Sequence, residues 1–106
     1  MERPALNQPA HHILLAIGAE AKHGYAILQD IAARSGGRIT ILPGTLYSTI
    51  KKMLAEGLVE EVDPPRSADS DDARRRYYRV TKAGRLAAQA ETERMALLVK
   101  LGKAFG

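Results

Sequence analysis

A chain of 106 residues is long enough for one domain with a modest core, and marginal as a monomer. Sixteen lysines and arginines against twelve aspartates and glutamates leave a net charge of +4, which favours an anionic partner, and the absence of cysteine excludes a disulfide framework, a thiol nucleophile and a cysteine zinc site. No apolar run approaches the about 20 residues of a membrane span, and the opening Met-Glu-Arg-Pro lacks the basic and apolar regions of a secretory leader, so the expected location is the cytoplasm, with no membrane partner.

Residues 1–8 mix charge, amide and proline without a period and are expected to form a flexible tail. From Pro9 the run through Ile13-Leu14-Leu15-Ala16-Ile17 is apolar on most sides, and its length suits a buried helix. A second helix is predicted from about His23-Gly24-Tyr25 to Ser35, with Ile27, Leu28, Ile31 and Ala32 on one stripe and Gly36-Gly37 as its stop. Arg38-Ile39-Thr40-Ile41 alternates like a very short strand.

Pro43 to Gly57 is predicted to be a helix with two different faces. Pro43 suits the first turn, where its missing N–H is no loss, and Gly57 suits the left-handed stop. At about 100° per residue Leu46, Ile50, Met53 and Leu54 fall on one side. The other side carries Thr45, Ser48 and Lys52, flanked by Lys51 and Tyr47, and nothing acidic occurs before Glu56. A polar, cationic, acid-free face over an apolar back is what a helix lying in a DNA major groove requires. A solvated amphipathic helix is the alternative reading of the same segment.

After Gly57 the period changes. Leu58 to Val62 reads as a strand and Arg76 to Val80 as its partner, with the Pro- and Ser-containing stretch from Asp63 to Arg75 as a long loop between them. Charges segregate along the chain: Arg34, Arg38, Lys51 and Lys52 form one wholly positive block, and Arg74, Arg75, Arg76, Arg79, Lys82 and Arg85 form another. Glu60, Glu61, Asp63, Asp69, Asp71 and Asp72 lie between them. Thr81 is a natural N-cap for a last helix from Lys82 to about Phe105. Ala83, Ala87, Ala90, Leu97 and Leu101 keep near a 3.5-residue step along it, and Leu98 widens the stripe. So long a helix needs a partner, most simply a second copy of itself; folding back on its own core is the other solution.

Helix, helix, short strand, helix, strand, loop, strand is the order of a winged helix-turn-helix, so the expected fold is mostly α with a small β-hairpin wing. The expected division is a tail over 1–8, a winged-helix DNA-binding domain over 9–80 and a C-terminal dimerisation helix over 81–106. Five segments in this order resemble the PadR family of bacterial transcriptional regulators: His23-Gly24-Tyr25, Pro43-Gly44-Thr45-Leu46-Tyr47, Glu56-Gly57-Leu58-Val59, Arg75 to Thr81, and Gly84. The resemblance runs from about Ile13 to Ala87.

That resemblance implies a homodimeric repressor on a palindromic operator, with the last helix as dimerisation arm. It also implies a small aromatic or hydrophobic effector held between C-terminal helices, for which this chain offers Met95, Leu97, Leu98 and Phe105 but no tryptophan. The matching positions make Thr45, Tyr47, Ser48, Lys51 and Lys52 the major-groove set, with the hydroxyls on base edges or phosphates and the lysines on backbone charge. Tyr47 is expected half packed with its hydroxyl outward. Tyr25 either hands its hydroxyl to a phosphate or packs. Arg74, Arg75 and Arg76 sit at the base of the wing, where guanidinium groups clamp phosphates or enter a minor groove. The acidic part of the loop is then expected to face away from DNA, and of Tyr77 and Tyr78 one is expected to pack against the third helix and the other to face solvent or phosphate. A protein-docking module that uses this acidic loop is the rival function.

No catalytic constellation accompanies these features. There is no Gly-x-Ser-x-Gly elbow and no phosphate-binding Gly-x-x-x-x-Gly-Lys loop, and adjacent His11 and His12 cannot chelate as an i, i+4 pair could. The Asp69 to Asp72 run lacks the ligand order of a calcium loop. The expectation is no enzyme, no cofactor and no metal.

Overall fold

The computed structural model describes residues 6–106. The elements in chain order are α1 (Gln8–Ile17), β1 (Lys22–His23), α2 (Gly24–Arg34), α3 (Pro43–Ala55), β2 (Val59–Val62), β3 (Tyr77–Val80) and α4 (Lys82–Lys103), with a 3-10 turn at Asp72–Arg74 inside the wing. Four helices and a three-stranded antiparallel sheet make the expected winged helix. Of the expected tail, residues 1–5 lie outside the described region. Asn7 and Gln8 belong to α1 instead, because the Asn7 side chain accepts the Ala10 N–H at 2.9 Å and caps the helix.

α1 is the centre of the core. Ile13, Leu14, Ala16 and Ile17 are buried, together with Ile27 and Ile31 of α2, Leu46, Ile50 and Met53 of α3, and Leu58 at the entry to β2. Each large aliphatic side chain so enclosed contributes about 1.5–3 kcal/mol. Leu54, expected on the apolar side of α3, is 37% exposed, because the stripe that reaches the core is narrower than the one read from the sequence.

The sheet has the order β1-β3-β2. Val59 to Val62 pairs with Tyr77 to Val80 in the expected hairpin, and the other edge of β3 takes Lys22 opposite Tyr78 and His23 opposite Tyr77. The short strand is therefore before α2, not at Arg38–Ile41 as the alternation there suggested. At that segment the backbone is committed elsewhere. The Ser35 hydroxyl accepts from Ile39 N–H at 3.0 Å and donates to the Ile39 carbonyl, while Ile39 and Ile41 lean on the core.

α4 is fastened at its first turn. Thr81 N–H donates to the Leu58 carbonyl at 3.1 Å, its hydroxyl donates to the Gly57 carbonyl at 2.6 Å, and the same hydroxyl caps the helix by accepting from Gly84 N–H. Gly84 sits so close to β2 that a Cβ there would lie 2.0 Å from the Leu58 carbonyl oxygen. From that anchor the helix runs on to Lys103, about 33 Å at 1.5 Å per residue.

The two halves of α4 differ in how they are covered. Ala83, Ala87 and Ala88 lean on the chain's own core, and Glu91 is buried behind them. Beyond Glu91, Leu97, Leu98, Val99, Leu101 and Phe105 are exposed.

Candidate nucleic-acid interface

α3 presents the polar face read from its sequence. Leu46, Ile50 and Met53 hold the helix to the core, and Thr45, Tyr47, Ser48, Lys51 and Lys52 are all exposed on the remaining arc. The Ser48 hydroxyl donates to the Thr45 carbonyl at 3.1 Å, an exposed contact. Neither Lys51 nor Lys52 has a carboxylate partner among the described residues. The N-terminus of α3 differs from those of α1, α2 and α4. Asn7, His23 and Thr81 cap those three with side-chain acceptors, whereas Leu42 stands at the N-cap of α3 with no side-chain hydrogen bond and 73% of its surface exposed.

Tyr47 fixes α3 against α2. A Cβ added at Gly24 would fall 2.7 Å from the Tyr47 hydroxyl oxygen and 3.0 Å from the ring carbon that carries it. The phenol tip thus rests on Gly24, at the start of α2, instead of pointing outward as expected; the ring is still half exposed. Any larger residue at position 24 would have to displace this phenol tip.

The base of the wing folds back toward the same end of α2. The Asp69 carboxylate accepts from Asp72 N–H at 2.8 Å and so nucleates the 3-10 turn. Asp72, itself partly exposed, has one oxygen 3.3 Å from Arg75 Nε and 3.8 Å from His23 Nε2. The Arg75 guanidinium carbon lies 5.4 Å from the centre of the Tyr25 ring. Tyr25 is exposed, and its ring serves as a platform for an arginine. Arg74 and Arg76 are exposed and have no carboxylate partner among the described residues.

The acidic loop is therefore not all directed away from the arginines: Asp72 pairs with Arg75. Nor does either tyrosine of β3 face solvent. Tyr78 joins the core, and Tyr77 is buried with its ring edge-on to His23 at 5.4 Å. Burial pushes both phenols above their ordinary range, assisted by Asp72 at Tyr77 and by Glu61 at Tyr78. His23 uses Nδ1 to accept the Ala26 N–H at 3.1 Å, so Nε2 carries the ring proton and faces Asp72. Burial, reinforced by the Arg75 charge, holds its pKa below the ordinary imidazole value against the opposing pull of Asp72.

A second polar cluster joins α1 to α4. His11 and Glu91 are each only 4% exposed. His11 Nε2 is 3.1 Å from the Thr92 hydroxyl, and Glu91 forms an ion pair with Arg94. Burial lowers the His11 pKa, and the Arg94 hydrogen bond lowers that of Glu91. Beside this cluster a groove of about 780 Å³ opens between α1 and α4, floored by Leu14, Leu15, Val80 and Ala88 and rimmed by Arg85 and Glu93. Among the described residues no group of three or more His, Asp or Glu side chains could hold a metal ion. Among the same residues no helix is long and apolar enough to cross a membrane.

The sequence model of the transcriptional regulator PadR-like family matches residues 13–90. The chain belongs to the PadR-like family. Within it, the chain is 40% identical over 76 residues to the transcriptional regulator Rv3488 of Mycobacterium tuberculosis, a match that takes in 72% of this chain and 64% of that protein. The chain thus spans just under two thirds of the length of this curated relative. A PadR family transcription regulator from Clostridium difficile shares the fold with a TM-score of 0.77 at 19% identity, over 93% of this chain and 98% of that one. Bacillus subtilis PadR in complex with operator DNA superposes with a TM-score of 0.61 at 17% identity, over 81% of this chain and 45% of that one. PadR-like proteins are transcriptional regulators, and the elements just described are those of their winged helix.

Proposed function

We propose that this chain is a homodimeric transcriptional repressor that lays α3 of each copy in successive major grooves of a palindromic operator. The observation that carries the reading is the exposed arc of Thr45, Ser48, Lys51 and Lys52, with no acidic residue in α3 and no carboxylate on either lysine among the described residues. Thr45 and Ser48 face the bases and the nearby sugar–phosphate, the exposed flank of the Tyr47 ring lies beside them, Lys51 and Lys52 neutralise backbone charge, and Arg74, Arg75 and Arg76 with Tyr25 engage phosphates flanking the groove. Bacillus subtilis PadR, which shares this fold, was solved with operator DNA, in keeping with such a role. Gel-shift titration with the DNA upstream of the protein's own gene, beside an unrelated duplex of equal length, tests it. A shift selective for the upstream fragment is expected; equal binding of both duplexes, or of neither, refutes it.

Dimerisation in this reading uses the second half of α4. Ala83 and Ala87 serve the chain's own core, so the contact between copies falls to Ala90, Leu97, Leu98 and Leu101, with Phe105 at the end. Leu101→Glu places a charge on that face, and light scattering after gel filtration is expected to change from dimer to monomer mass. A small aromatic or hydrophobic effector would release the operator by binding between the C-terminal helices of the two copies, against Met95, Leu97, Leu98 and Phe105; the α1–α4 groove is lined by none of these four residues. The protein-docking alternative rested on the acidic loop; Asp69 and Asp72 are used within the wing itself.

A further inference from the structure

The three wing arginines are not equivalent. Arg74 and Arg76 have no carboxylate within ion-pairing distance among the described residues, whereas Arg75 is occupied on two sides. Its Nε lies 3.3 Å from an Asp72 oxygen, and its guanidinium plane lies near the Tyr25 ring. Asp72 is itself pinned: its backbone N–H is held by Asp69, and His23 Nε2 faces the same oxygen that Arg75 uses. The carboxylate sits at the Nε edge, one of the guanidinium edges that offers two parallel donors to a phosphate.

We infer that Asp72 is an internal stand-in for a DNA phosphate, an inference that rests on the DNA-binding reading above. In the free protein its carboxylate takes the Arg75 edge and cancels that charge at long range. A duplex gains Arg75 only where a backbone phosphate arrives close enough to displace Asp72, while the Tyr25 ring keeps the guanidinium from swinging away. Asp72 thereby lowers affinity for any duplex that does not set a phosphate at that point. The acidic patch of the wing is then a competitor for the wing's own arginine, which accounts for carboxylates placed beside a DNA-facing surface.

The test is a double-mutant cycle read by fluorescence anisotropy on the upstream duplex at fixed salt, with wild type, Asp72→Asn, Arg75→Gln and the double variant. Asp72→Asn keeps the shape and can still accept from His23, so the fold is retained; Asp72→Ser serves if the amide disturbs the turn. An exposed ion pair of this kind contributes a factor of about 2 to 5 per copy, so Asp72→Asn is expected to bind that much more tightly. In the Arg75→Gln background the gain should disappear. An equal gain in both backgrounds would mean that Asp72 acts only by general charge repulsion and overturns the inference. Weaker binding by Asp72→Asn overturns it as well, since Asp72 would then serve to position Arg75. Failure of wild type to bind while folded and dimeric removes the DNA-binding reading itself, a result distinct from the other two.

Discussion

Replacing Lys52 by glutamine removes one cation from the exposed arc of α3 while leaving Leu46, Ile50 and Met53, and so the packing of the helix, untouched. Each phosphate neutralised by a lysine releases condensed counterions, and log affinity falls with log salt by about 0.9 for each such contact on duplex DNA. A dimer carries two copies of Lys52, so the slope is expected to become shallower by about 1.8. Over a fourfold salt range, from about 50 to 200 mM, wild type should lose about 12-fold more affinity than Lys52→Gln. The loss should be nearly uniform across duplex sequences, because a phosphate contact carries no base information. Anisotropy titration of the upstream duplex at five salt concentrations reads both quantities. An unchanged slope would show that Lys52 does not meet the backbone, and with it the assignment of this face of α3 to DNA would fall.

Gly84→Ala forces a Cβ to within 2.0 Å of the Leu58 carbonyl oxygen, a backbone atom that cannot step aside, so α4 must lift from β2 at a cost of about 3 kcal/mol or more. Chemical denaturation is expected to show that loss, and a variant as stable as wild type would contradict the close approach. Leu42→Ser supplies the missing N-cap of α3 and loses little packing, since Leu42 is mostly exposed; a gain of about 0.5–1.5 kcal/mol is expected, read as a higher melting temperature. For pH dependence, His11 and His23 have folded pKa values held below 6.5, so their neutral forms contribute stability that is complete above that value and is lost as the pH falls through the depressed folded values. Melting temperature should be level from about pH 8 to 7 and decline from about pH 6.5 toward 5, before Glu91 titrates. His23→Asn keeps an N-cap acceptor without a titrating group and should flatten part of that decline. A profile level throughout would refute the burial argument.

Local chemistry made much of this fold legible. Pro43 opening α3, Gly57 beyond its end and Thr81 capping α4 are signals carried within one turn of the residue concerned, and each lies where its chemistry placed it. The misreadings arose where a distant partner decides the outcome. Arg38–Ile41 alternates like a strand, yet the open edge of β3 was taken by Lys22–His23. His23 looked like a helix opener, and it caps α2 through Ala26 N–H; its other roles, as strand residue and neighbour of Asp72, depend on residues about fifty positions away. The His11–Thr92 contact spans 81 positions and had no sequence signal at all. Spacing alone showed α4 as one apolar stripe, because burial of Ala83 and Ala87 in the chain's own core and exposure of Leu97 and Leu101 give the same period. Asp72 was legible as a charge beside arginines, but not as the partner of Arg75 in particular.

A footprint on the DNA upstream of the protein's own gene tests the central claim most directly. Two dimer-related α3 helices require two protected segments centred about 10 base pairs, or 34 Å, apart on one face of the duplex, with two-fold sequence symmetry between them. A single unpaired protected segment, or uniform protection without sequence preference at saturating protein, would contradict the account.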